Sequence, residues 1–112
     1  MAKDDQTDAL DLAEALFAQE KFWDVIQALD QLIPHFTGHR QRLRARLLRA
    51  KACMKNPKWA KRAEQELQTI LRDDPQNADA YFTLGTLNKE NGFNNRAITM
   101  FRKASELGKK ED

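Results

Sequence analysis

From Ala78 to Glu111 the apolar and small residues fall at the spacing of a packed helical hairpin: Tyr81, Leu84 and Gly85, then Gly92, then Ala97, Phe101 and Ala104. Moved back by 34 residues, the frame finds an echo, with Ala63 under Ala97, Leu67 under Phe101 and Ile70 under Ala104. A period of this length marks a stacked array of helix pairs, because no single pair can bury its own apolar face. The usual work of such arrays is to bind other proteins. The sequence therefore predicts an all-α chain with a role in recognition.

Composition agrees with that class. The chain has 112 residues, 41% hydrophobic and 32% charged, with three prolines and four glycines, the balance of one soluble helical domain and not of a disordered tail. A single cysteine, Cys53, excludes an internal disulfide and fits a reducing compartment. No apolar run is long enough for a membrane span, and MAKDDQTD lacks the basic-then-apolar order of a secretion signal. The expected location is the cytoplasm, with no membrane partner. The net charge of +2 conceals an asymmetry: residues 1–30 carry two basic and eight acidic side chains, 31–63 ten basic and no acid, and 64–112 seven basic and nine acidic. That middle segment creates a local field that the total does not report.

Six helices are predicted. The first starts near Thr7 and stops around Gln19 to Lys21, with Ala9, Leu12, Ala13, Leu16 and Phe17 at helical spacing. The second runs from Phe22 to Ile33, where Pro34 ends it. The third, His39 to Lys55, is the basic one, with Leu43, Leu47, Leu48, Ala50 and Met54 facing inward. Asn56-Pro57 restarts the chain into a fourth helix, Lys58 to Arg72, and Asp73-Asp74-Pro75 stops it. The fifth, Asn77 to Asn91, opens on an Asn cap and closes at Gly92. The sixth spans Asn95 to Leu107, and the KKED tail is expected to fray. Linkers of two to five residues make successive helices antiparallel. Gly85 and Ala97, lacking bulk, let the last two helices approach closely.

On these residues the chain resembles tetratricopeptide repeat proteins. AYFTLGTLNKENGFNNRAITMFRKASEL follows the family's aromatic, Leu-Gly, Gly, Ala, aromatic, Ala order, departing at Asn88, where an aromatic is usual, and at Lys109, where the closing proline is usual. The second unit keeps Ala63, Leu67 and Pro75 but has Leu47 for the aromatic and Lys51 for the glycine. The first is degenerate, read from Leu12, Leu16, EKFWDVIQAL and Leu32, and about four extra residues near Gly38 separate it from the second. The resemblance implies one domain over 6–111, with repeats at 6–39, 44–77 and 78–111, stacked as a short right-handed α-solenoid. More narrowly, EKFWDVIQALDQLI and MKNPKWAKRAEQELQTIL are similar to the repeat segment that follows the J-domain in some bacterial J-domain co-chaperones.

In such arrays the first helix of each pair lines the concave side. Helical spacing then nominates Arg42, Arg49 and Asn56 on the third helix, with Ala45 and Ala52 as a floor between them. Phe82, Thr86 and Lys89 are the corresponding residues on the fifth helix, and Leu10, Glu14 and Phe17 on the first. Guanidinium walls beside an exposed Phe suit an acidic or amphipathic peptide or helix. Against this stands a plainer reading, in which the basic residues pair with acids of the flanks, Asp11, Glu14, Asp24 or Glu66. The family's carboxylate-gripping clamp is not expected, since Leu10, Glu14, Asp79 and Thr83 occupy or neighbour its places. A second candidate surface is an apolar strip of Tyr81, Leu84, Met100 or Leu107 on the last hairpin, which would drive self-association as a homodimer or the docking of another domain. Nucleic acid is the runner-up partner class, held by the basic third helix but disfavoured by acidic flanks and by Trp59 being the one aromatic nearby in sequence. With one serine, one cysteine and two histidines, the chain is expected to be no enzyme and to use no cofactor or metal; His35 and His39 straddle Gly38 and read as linker residues.

Overall fold

The computed structural model describes residues 5–108, and all regular structure among them is helical. The helices are α1 (Asp5–Ala18), α2 (Phe22–Leu32), α3 (His39–Met54), α4 (Ala60–Asp73), α5 (Ala78–Glu90) and α6 (Asn94–Glu106). Short 3-10 turns follow α2 at Ile33–His35 and precede α4 at Pro57–Trp59. Pro34 and Pro57 sit in the first turn of these 3-10 segments, where the missing N–H would have had no partner. The expected fraying of KKED and the closing position of the third repeat at 111 lie outside the described residues.

The helix ends follow their residues. Asn77 Oδ1 accepts from the Ala80 N–H at 2.9 Å and caps α5. At the other end the Gly92 N–H donates to Lys89 O and the Phe93 N–H to Asn88 O, at 3.1 and 2.8 Å. This pairing closes a helix through a left-handed residue, and Gly92 has φ 83°.

Packing follows the hairpin plan. Each odd helix packs on the even helix after it, and α2 reaches α3 as α4 reaches α5. Within the odd set, α1 touches α3 and α3 touches α5, whereas no Cα of α2 comes within 8 Å of α4, nor of α4 within 8 Å of α6, among the described residues. The odd helices thus form the tight layer and the even helices the splayed one, which bends the stack toward α1, α3 and α5. α3 is central because its contacting residues are small: Ala45, Ala50, Ala52 and Cys53 are fully buried, and helix separation is set by the side chains at the contact. Gly85 serves α5 likewise. A Cβ placed there would lie 2.6 Å from the Phe101 ring.

Three expectations about individual residues are corrected. Leu10, assigned to the groove, is fully buried, while Leu12, assigned to the core, is 63% exposed. Leu10, Ala13 and Leu16 to Phe17 make the inward stripe of α1. Ala45 and Ala52 are interior, not a groove floor.

Candidate functional site

On the α1–α3–α5 face lies a hollow of about 220 Å3. Phe17 enters from α1, Lys51, Met54 and Lys55 from the end of α3, and Asp79, Phe82, Thr83, Thr86 and Glu90 from α5. Its apolar lining is held in place by neighbouring rings. Phe82 packs at 5.3 Å on Phe101, and Phe17 meets Phe22 edge-on at 5.1 Å. The Lys55 ammonium lies 5.7 Å from the Phe22 ring and 5.9 Å from Phe17, a favourable placement for a cation on π faces. The threonine hydroxyls donate back into α5, Thr83 to Asp79 O at 2.7 Å and Thr86 to Phe82 O at 3.2 Å.

A second hollow of about 330 Å3 shares Asp79 and extends along α3 past His39, Arg40, Leu43, Arg44 and Leu47 to Asp73, Asp74 and Asn77. Together the two make a groove with opposed walls. Arg40, Arg44, Lys51 and Lys55 recur along one stripe of α3, and Asp73, Asp74, Asp79 and Glu90 face them from the end of α4 through α5. Among the described residues, Lys51 and Lys55 make no ion pair, whereas Arg44 pairs with Glu14 at 2.7 Å.

Of the residues nominated from sequence, Phe82 and Thr86 line the hollow, and so does Phe17. Lys89 is exposed on α5 outside its wall. Arg42, Arg49 and Asn56 lie elsewhere. Arg42 Nη2 donates to Phe36 O at 2.7 Å and pins the α2–α3 linker. Asn56 Oδ1 accepts from the Lys58 N–H at 3.0 Å and caps the turn into α4. Arg49 points between α2 and α4, where Nη1 meets Asp30 at 2.9 Å and Nη2 meets Glu66 at 2.8 Å. Its Nε stands 2.5 Å from Glu66 Oε2 without the angle of a hydrogen bond. Arg62 completes the cluster through Asp30 at 2.8 Å. The physical reason is the phase of α3. The buried alanines take the sides toward its neighbours, which turns positions 42 and 49 away from α5 and leaves the stripe through 51 and 55 to form the basic wall. Reading those alanines as packing surface, and not as floor, is the signal that finds Lys51 and Lys55.

The arginine cluster is electrostatically tight. Burial alone would lower the Arg49 pKa, but the bonds and charges of Glu66 and Asp30 outweigh it and hold the guanidinium above its ordinary value. Beneath, Cys53 is buried, and burial pushes its thiol up, the opposite of thiolate activation. Of the expected apolar strip on the last hairpin, Leu84 is buried and Tyr81, Met100 and Leu107 are half-buried, while Phe93 and Ile98 of the same hairpin are exposed. No helix among the described residues is long and apolar enough to cross a membrane. No protein-family model matches the chain, and a search of curated proteins finds no match.

Proposed function

We propose that this chain is a non-catalytic adaptor of the tetratricopeptide kind, whose α1–α3–α5 groove holds an acidic or amphipathic segment of a partner protein. An apolar side chain of that segment occupies the hollow between Phe17 and Phe82, and its carboxylates face Arg40, Lys51 and Lys55. The observation that carries this reading is the pairing of an aromatic hollow with two lysines, Lys51 and Lys55, that make no ion pair among the described residues. An apolar anchor supplies affinity there, and the charge stripe sets orientation and encounter rate. The similarity of the NPKW region to repeats of J-domain co-chaperones makes a cytoplasmic, chaperone-associated setting part of the same proposal.

The test is co-purification from the native host with tagged protein. Phe82→Asp and the double variant Lys51→Glu/Lys55→Glu are expected to lose the bound protein by at least about tenfold, while Gln68→Lys on the exposed side of α4 keeps it. Circular dichroism checks that each variant is folded. Retention of the same protein by both folded groove variants would overturn the reading.

A further inference from the structure

Trp23 is 52% exposed at the start of α2, and it plays no part in that helix's buried stripe of Val25, Ile26 and Leu29. Its ring leans instead on Trp59, which comes from the second hairpin, with centroids 5.0 Å apart and planes inclined by 35°. Trp59 is half-buried against the core. It therefore fixes the ledge, and Trp23 offers the ledge to solvent. Beside the two indoles lies a hollow of about 320 Å3, lined by Phe22, Trp23, Pro57 and Trp59 together with Glu20 and Lys55.

The charges around this ledge are uneven. Lys21 and Lys58 are exposed and adjoin lining residues in the chain, and Lys55 is part of the lining. None of the three makes an ion pair among the described residues. Five of the nine arginines differ: Arg44, Arg46, Arg49, Arg62 and Arg96 are engaged with carboxylates of this chain. The ledge thus joins an open aromatic surface to Lys55 and Glu20 in its lining, with the exposed Lys21 and Lys58 next to lining residues in the chain.

We propose that the Trp23–Trp59 ledge is a second docking site, taking an acidic, extended segment of a partner protein through one proline or apolar anchor. Aromatic-lined clefts suit extended proline-bearing chain, because the ring packs on the indole at little entropic cost. The lysines select carboxylates on either side of the anchor. Single-stranded nucleic acid also stacks on indoles, but no guanidinium fork of the kind best suited to phosphate lines this hollow among the described residues. Lys55 borders both this hollow and the groove, so the two surfaces adjoin, yet the ledge stands whether or not the groove is filled.

Both tryptophans of the chain are in the ledge, so intrinsic fluorescence reports on it directly. The probes are a capped peptide with glutamates flanking Pro-Leu-Pro, the same peptide with lysines in place of the glutamates, and a short oligothymidine. The acidic peptide is expected to give a saturable change in tryptophan emission. Lys21→Glu/Lys58→Glu weakens that binding by about tenfold, and the groove variant Phe82→Asp leaves it unchanged. The proposal is overturned by no saturable change with the acidic peptide, by an equal response to the lysine peptide, by a response to oligothymidine alone, or by loss in Phe82→Asp with none in the lysine variant. Since the groove is judged by co-purification and the ledge by fluorescence, either can fail without the other.

Discussion

Glu20 holds a left-handed backbone, φ 62°, in the turn where Gly92 serves the third hairpin at φ 83°. The bonding is the same in both: the Glu20 N–H donates to Phe17 O and the Lys21 N–H to Leu16 O, at 2.9 and 3.0 Å. A side chain in this region costs about 1–2 kcal/mol, and glycine gives part of that back as unfolded-state entropy. Glu20→Gly is therefore expected to stabilise the fold by about 0.5–1 kcal/mol, read as a higher urea midpoint; a lower midpoint would show that the glutamate side chain contributes more than its backbone costs. Arg49 makes the opposite case. Its side chain is 17% exposed and that of Glu66 11%, so Arg49→Ala leaves a carboxylate short of partners in a poorly solvated place. The expected loss is about 2–3 kcal/mol, and Arg49→Met/Glu66→Leu recovers most of it in a double-mutant cycle. Additive losses would contradict the coupling. Reversing Arg49 thus reports on folding and is no test of the groove.

At the level of elements, the last hairpin was the most legible part of the chain. Asn77, Gly85, Gly92 and Ala97 each announce one local requirement: a cap, a close approach, a left-handed turn and a second close approach. The structure meets all four. Gly85→Val is expected to destabilise by about 2 kcal/mol, because the added bulk displaces a half-buried aromatic ring. Combining it with Phe101→Ala makes the second substitution cheaper than it is alone, measured by denaturant unfolding; independent effects would argue against the close approach of α5 and α6. The rotational phase of α3 was not legible. Its charges and leucines alternate without one dominant stripe, and nothing local distinguishes an alanine that packs from one that floors a groove. Only contacts with the flanking hairpins decide the phase, and the extra residues near Gly38 disturb the register that would have transferred it from α5. Trp23 and Trp59 were separately visible, but their meeting depends on hairpin stacking.

The whole molecule measures 47 × 28 × 25 Å. A 14-residue helix such as α1 is about 21 Å long, so the long dimension is the direction of stacking. The radius of gyration, 14.1 Å, exceeds the about 13 Å of a compact chain of this length, as an open stack requires. This openness leaves one continuous face of three helices with a charged wall on either side, and it explains why a near-neutral chain carries a groove with strong local fields. The most direct measurement is photo-crosslinking in the native host, with the cross-linking amino acid at Thr86 in the groove or at Gln68 on the exposed side of α4. The account predicts a discrete protein adduct from Thr86, abolished by Lys51→Glu/Lys55→Glu, and none from Gln68. An adduct from Gln68 with none from Thr86, in folded protein, would contradict it.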